Sequence, residues 1–511
     1  MMDFLKGYQL VSVSTLLYTS ALLCIFQFLR TKFTYWSSRG IPSISLLESF
    51  IRAMRFYLGL DSFSSSYLGL YQTFEGHKYG GTYELLTPVL ILRDPKLVRN
   101  FLIEGFSQIH DRMPALDEDL NRLSTHLFRL TGDKWRQVRH KLSPAFSPAR
   151  LKNIFLSLKE CADDYDAHLR KLMEKTGSVE VNGYEFLSNY TLDAIWASVM
   201  GVKTNSAAGG DKTIKKYTHD FITFDFRRLV YRVLELINPK LPSLLKWKLV
   251  PSDLEQFFLK TCKDTATFRE HKSASEKDFI QFFMNIRNSE DNSSDPLFSD
   301  ELIASNIAFF LNAGLEPIGV LLTYCLHEIA SNSEIQEKIY NEIQTVRSEN
   351  NNEITFESLK SLQYTTQVIN ETLRLHPVAP VVFREITEPF KLPDSDAVID
   401  KNTKLYISLH GLHHDPKYFP DPFKFDPDRF SEENKQYIVP GTYMPFGDGP
   451  RFCIANRFVL LNAKTLVVTL LSNYTVHTRP KVQKKLEYDP STFSSSPVGG
   501  LYLSFKRREN S

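Results

Sequence analysis

MPFGDGPRFCIANRF, residues 444–458, joins a turn rich in Gly and Pro to Cys453 and then to a segment whose pattern predicts a helix from near Ile454. A cysteine at a helix N-terminus sits in the positive potential of the helix dipole and its free N–H groups, which favours thiolate. Gly447 and Gly449 remove side chains, so backbone donors can come close to the sulfur. Arg451 adds a fixed charge suited to a carboxylate. Inert burial is the commoner fate of a lone cysteine. A nucleophile wants a nearby histidine base, and the nearest following one is His477. Zinc wants further ligands, none of which is local. A thiolate on an iron centre needs no second protein ligand nearby in sequence.

The rest of the chain narrows the setting. In its 511 residues Lys plus Arg is 61 and Asp plus Glu is 59, a net charge of +2 that argues against bulk nucleic-acid binding. Five widely spaced cysteines, Cys24, Cys161, Cys262, Cys325 and Cys453, suggest no disulfide scaffold and a body in a reducing compartment. No charged residue lies between Lys6 and Arg30, and LVSVSTLLYTSALLCIFQFL (10–29) is long enough to cross a bilayer. Asp3 and Lys6 cancel before it, whereas Arg30, Lys32 and Arg39 follow with no acid until Glu48, placing the body on the cytosolic side. The apolar stretch is too long for a signal-peptide core and lacks a clear cleavage site. The expected organisation is an anchor (1–32), a linker (33–45) broken by Gly40 and Pro42, and one body (46–511).

Within that body, 79–93 reads as a small hairpin, and about 95–375 is mostly helical. Segment 302–330 is apolar almost all round, but Asn306, Asn312, Glu316, Pro317, His327 and Glu328 interrupt it. A helix through a large soluble core accounts for it better than a second span. A last helix (454–472) and a strand pair around residues 497–500 close a mainly α chain with a minor sheet.

Phe446, Gly449, Arg451 and Cys453 stand as F-x-x-G-x-R-x-C, and here the chain resembles the cytochrome P450 family. Ala455 replaces that pattern's usual Gly, adding one methyl near the cofactor plane. ETLR (371–374), alone, reads as a surface ion pair of little worth. With FDPDRF (425–430) it resembles the family's buried network, which implies that Glu371, Arg374 and Arg429 support the cysteine loop. Trp135 and Arg139, four apart on one helical face, match W-x-x-x-R, and Arg384 matches a further arginine. The resemblance implies that all three meet the haem propionates.

YWSSRGIP, DPKLVRNFL, HDR (110–112), LSPAFS and LHHDPKYFPDPFKFDPDRF extend the likeness over nearly the whole chain and toward the animal microsomal, insect xenobiotic-type branch. The resemblance implies a single triangular haem domain, monomeric, behind an endoplasmic-reticulum anchor. It also implies monooxygenation of a small lipophilic substrate, with NADPH electrons arriving through a reductase. Phe309, Phe310, Val381 and Val382 are expected in the pocket wall, and Lys134, Arg136 and Arg457 at the reductase face. The largest departure is Ala313-Gly314-Leu315-Glu316-Pro317-Ile318, where Pro317 stands in place of a hydroxyl-bearing Thr. Either a monooxygenase relays protons through Glu316, water or a substrate hydroxyl, or the chain isomerises or dehydrates an oxygenated substrate without dioxygen. A haem-binding protein without turnover is the remaining alternative.

Overall fold

Ser299 starts the helix that organises the molecule, accepting from the Leu302 N–H as cap of Asp300–Ser331. The computed structural model describes residues 2–223, 225–272, 277–290, 297–479 and 486–508. In it, 78% of the central helix's apolar window is buried, as expected of a core helix rather than a span. Pro317 sits inside this helix without breaking it. Helix Gly183–Met200 packs closest against it, because Gly314 and Gly319 present no side chain at the contact. A Cβ on Gly314 would stand 2.5 Å from Ile195, and one on Gly319 would stand 2.9 Å from Ser188 Oγ. Helices Pro148–Met173 and Asn456–Asn473 complete the main core around these two.

Nine strands occur among the described residues: β1 (Tyr79–Glu84), β2 (Thr87–Leu92), β3 (Ser178–Asn182), β4 (Val381–Glu385), β5 (Phe390–Lys391), β6 (Val398–Ile399), β7 (Lys404–Ser408), β8 (Tyr474–Thr478) and β9 (Tyr502–Arg507). The main sheet runs β1-β2-β7-β4, with only β2 and β7 parallel, and the expected hairpin is β1–β2. The closing pair differs from expectation. It is β8 with β9, and β9 also pairs with β3, whereas Gly499 and Gly500 turn the chain at positive φ just before β9. Glycine takes that conformation without a Cβ penalty, so these residues end a loop and not a strand.

Segment 33–45 is not a free linker. Trp36 is fully buried, its indole N–H donating to the Thr82 carbonyl at 2.9 Å, and Ser43 bridges to Gly81. Arg39 stacks on Tyr35 and pairs with Asp400 at 2.7 Å, so its charge belongs to the body. In the helix Met2–Phe33 ahead of it, Val13, Leu16, Leu17, Leu23, Phe26 and Phe33 are exposed.

Helix Gln363–Leu375 carries the clamp that fixes the approach to the cysteine loop. Glu371 receives two bonds of 2.7 Å from Arg374, and both side chains are fully buried. Arg374 also donates to the carbonyls of His413 (2.9 Å) and Pro422 (2.7 Å), and Glu371 accepts from the Asp426 N–H at 2.9 Å. Arg429 joins the pair, as expected, but more loosely. Its Nε lies 3.5 Å from Glu371 without a hydrogen bond, and its Nη2 donates to the Asp421 carbonyl. The motif's surface reading therefore gives way to a buried ion pair whose main work is holding backbone. Glu371→Gln should lower unfolding free energy by about 3–5 kcal/mol, because it strands a buried guanidinium. Arg429→Gln should cost much less, and urea denaturation of both variants measures the difference.

Candidate active site

Three backbone bonds fold the loop before Cys453: Gly447 N–H to the Met444 carbonyl, Phe452 N–H to Gly449, and Cys453 N–H to Phe446, at 2.9, 3.0 and 2.9 Å. Gly447 and Gly449 take φ of 73° and 70°, and a Cβ on Gly449 would lie 2.0 Å from the Leu102 carbonyl oxygen. Both glycines are thus required by turn shape and close approach. His413 accepts from the Met444 N–H at 3.2 Å, tying the LHHDP segment to the loop. The helix begins at Asn456, later than the expected Ile454, with Ala455 at its cap.

The sulfur is not packed like the other core cysteines. Cys161, Cys262 and Cys325 are buried, with thiols pushed up to about 12, while Cys453 keeps part of its accessible area. It lies enclosed by protein yet on the wall of an internal space. Burial raises its thiol, and the Ala455 N–H, Arg139 and Arg112 act in the opposite direction. Among the described residues the five cysteines are free, as their spacing suggested.

Four arginines gather beside this loop. Arg451 is fully buried: Nε donates to the His110 carbonyl (2.7 Å), and Nη2 donates to Asp111 (2.9 Å) and the Leu130 carbonyl (2.8 Å). Its guanidinium stacks 3.9 Å over the buried Trp135 ring. Asp111 also accepts from the Gly132 N–H, so it joins Arg451 to the start of helix Gly132–Leu142, which carries Trp135 and Arg139. Arg139 lies 5.0 Å over the Phe452 ring. Arg112 donates to the Arg451 carbonyl at 2.6 Å, and Arg384, in β4, donates to the Phe383 carbonyl at 2.7 Å. Of the four, only Arg451 has a carboxylate ion-pair partner among the described residues. Burial, reinforced by the neighbouring arginines, draws Arg112 down to about 10, Arg451 to about 9 and Arg384 well below its usual range.

Such a group calls for anions. Arg384 Nε and Arg451 Nη1 are buried with no acceptor among the described residues. A haem brings two propionates and an iron that takes a thiolate, so this donor set and the open face of Cys453 fit it. Phe446 packs half-buried against the main core beside the loop.

On the central helix, Phe309, Ala313 and Pro317 are four apart and share a face. Ala313 is exposed and the other two half-buried, although Leu311, Asn312, Leu315, Glu316 and Ile318 between and beside them are buried. That stripe faces an internal chamber. Phe309 stacks on His126 (centroids 4.2 Å apart) and meets Phe128 at 5.6 Å; Phe128 meets Phe383 at 5.8 Å, and Phe383 meets Phe493 at 6.0 Å. Arg112 lies 4.4 Å over Phe128, which joins this aromatic wall to the arginine cluster. Burial lowers His126 to about 3, so its ring is neutral. Phe310 packs instead with Phe146 and Phe283, and Val381 and Val382 go into the cores beside the main sheet, so of the four expected wall residues only Phe309 joins the chamber wall.

Glu316 turns away from the stripe. Ser496 donates to it at 2.8 Å and Ser494 also donates, fastening the loop that carries Phe493 to the central helix. Burial raises its carboxyl above the usual range against the pull of those hydroxyls. Gly314 faces Ile195, so its evident use is helix packing. Sequence reasoning missed Arg112, Phe128 and the two serines. HDR marked the first, but the serines and Phe128 reach the site only through long-range folding.

A family model for cytochrome P450 matches residues 75–503. Cytochrome P450 9e2 of Blattella germanica is 30% identical over 502 residues, covering 93% of this chain and 94% of that one. Probable cytochrome P450 6d4 of Drosophila melanogaster is also 30% identical, covering 94% and 96%. Cytochrome P450 6j1 of Blattella germanica is 29% identical, covering 96% of each. With a thiol on the wall of an internal space, an arginine cluster short of anions and this near full-length likeness, the chain belongs to the cytochrome P450 family, the haem–thiolate monooxygenases.

Proposed function

We propose that this haem–thiolate monooxygenase acts on small lipophilic molecules of xenobiotic, hormone or fatty-acid type, with Cys453 as the thiolate that would hold the iron. The observation that carries the reading is the continuity of Cys453, the under-neutralised arginines and the aromatic chamber through Arg451, Arg112 and Phe128. Haem, when bound, supplies the dioxygen chemistry, drawing electrons that originate from NADPH. Arg384 and Arg451 would donate to its propionates, Arg112 and Arg139 would add neutralising charge, and Trp135 holds the Arg451 plane. Phe446, Gly449 and Ala455 shape the thiolate side. His126, Phe128, Phe309, Phe383 and Phe493 exclude water and receive an apolar substrate.

On the distal side Ala313 and Pro317 face the chamber, and Gly314 lets the helix seat against its neighbour. Glu316 sits in a hydroxyl cluster with Ser494 and Ser496, and burial raises its carboxyl above the usual range. The absence of a hydroxyl at position 317 favours one second reading, isomerisation or dehydration of an oxygenated substrate without dioxygen. Product that forms only with NADPH, a reductase and dioxygen bears out the first reading. Product formed anaerobically without NADPH contradicts it and supports the second.

The outward apolar helix Met2–Phe33 suits a membrane anchor, with Arg30 and Lys32 at its end favouring a cytosolic body on the endoplasmic reticulum. The organisation is then an anchor (1–32), a segment packed on the sheet (33–45) and the haem domain (46–511), acting as a monomer. Arg136 and Arg457 are exposed and available to a reductase, although Arg136 already meets Asp133 and Lys134 is paired with Glu118. Arg457→Glu should slow reductase-driven reduction and weaken its salt dependence, as stopped-flow reduction at two ionic strengths would register.

Losing one charge-assisted bond to a propionate costs about 1.5–3 kcal/mol, or roughly 10–100-fold in affinity. Arg384→Leu should therefore release haem to an apo-globin acceptor about 10–100-fold faster if the lost affinity appears in dissociation. Arg136→Leu should release it at the wild-type rate.

A further inference from the structure

Ser494 and Ser496 both donate to one oxygen of Glu316, Oε1, the second of them at 2.8 Å. Ser495 between them turns the other way, as alternate side chains of an extended segment do. Its hydroxyl donates to the Pro377 carbonyl at 2.6 Å and lies 2.9 Å from Ser64 Oγ and 3.0 Å from His410 Nε2. The Ser495 N–H donates to the Val378 carbonyl at 2.9 Å, and Tyr324 donates to the Ser495 carbonyl at 2.8 Å. Residue 495 is therefore held by its own backbone and side chain. Residue 494 is not. Among the described residues, the other hydrogen bonds of Thr492 and Ser494 stay within their own loop. Phe493 lies between them, its ring 5.0 Å from Phe63 and 6.0 Å from Phe383, at the outer end of the aromatic wall.

We propose that Glu316 is a specificity-positioning residue: as a hydrogen-bond acceptor it holds Ser494 and Ser496, and through them Phe493, so that the chamber admits compact lipophilic molecules in preference to bulky ones. Two hydroxyls on one oxygen need an acceptor and not a charge. Burial already raises this carboxyl above its usual range, and a neutral side chain with a carbonyl at the same place serves equally. The role rests on the haem–thiolate reading, because the chamber receives substrate only if haem forms its floor.

The test uses the full-length haem-loaded protein and two iron-ligating probes, 1-benzylimidazole and the bulkier 1-tritylimidazole. Their affinities are titrated by the haem absorption change, and iron ligation, common to both, cancels in the trityl-to-benzyl ratio. Hydrogen–deuterium exchange over 489–498 gives a second readout that needs no ligand. Glu316→Leu removes the acceptor at similar size. It should raise the trityl-to-benzyl ratio, and speed exchange over 489–498, each by about tenfold, the worth of one net hydrogen bond. Ser494→Ala combined with Ser496→Ala should do the same. Adding both to Glu316→Leu should change neither readout further, since the three groups form one contact. Glu316→Gln, which keeps the acceptor, should leave both readouts at their wild-type values.

A ratio within about twofold of wild type in Glu316→Leu and in the double serine variant overturns the assignment, even if exchange quickens, because one net hydrogen bond exceeds that margin. Glu316→Gln that behaves like Glu316→Leu overturns it too, since charge and not the acceptor would then hold the loop. The serine variant keeps the test decisive if Glu316→Leu does not fold. The reduced carbon monoxide spectrum of each sample separates the two levels. Without a thiolate-type band in the wild type, the haem reading itself falls. With that band and an unchanged ratio, only the role of Glu316 falls.

Discussion

Arg112, Arg139, Arg384 and Arg451 are drawn together below the surface with a single carboxylate ion pair, Asp111 on Arg451, among them. Taking a cation out of water without a partner costs several kcal/mol, so an anion beside this cluster would stabilise it. Separate elements bring its members together. β4 delivers Arg384, helix Gly132–Leu142 delivers Arg139 and the Trp135 ring under Arg451, and the loop before Cys453 delivers Arg451 itself. Arg384 Nε and Arg451 Nη1, buried without a hydrogen-bond partner among the described residues, suit such an anion.

Holding that loop is a separate problem, solved at a distance. Gly449 passes so close to the Leu102 carbonyl that no side chain fits, and His413 anchors Met444 at the loop's start. The Glu371–Arg374 pair then pins the backbone from His413 to Asp426. A buried ion pair is weak evidence for stability in general. Here its value lies in the carbonyls that Arg374 collects, which fix a long stretch without regular structure.

What could be read from the sequence was what local spacing encodes. Cys453 with its glycines, Trp135 and Arg139 four apart, and Glu371 with Arg374 each sit within one turn or loop, and the family likeness supplied their partners. Pro317 was visible as a departure, and the helix runs through it as expected of a core element. The misses are long-range. Val381 and Val382 looked like pocket residues, but the sheet turns them into its cores and presents Phe383 instead. Ser494 and Ser496 meet Glu316 across nearly 180 residues, which no local pattern announces. Segment 33–45 read as a linker from its Gly and Pro, whereas Trp36 makes it part of the sheet's packing. Arg429 stands beside Glu371, as the likeness implied.

The thiolate assignment is the claim on which every other functional statement stands, and one spectrum addresses it. The account predicts that the reduced, carbon monoxide-bound wild type shows the Soret band of thiolate-ligated haem and that folded Cys453→Ser lacks it. A folded, haem-loaded wild type whose band lies at the position of nitrogen-ligated haem, or a Cys453→Ser protein that keeps the thiolate band, would contradict it.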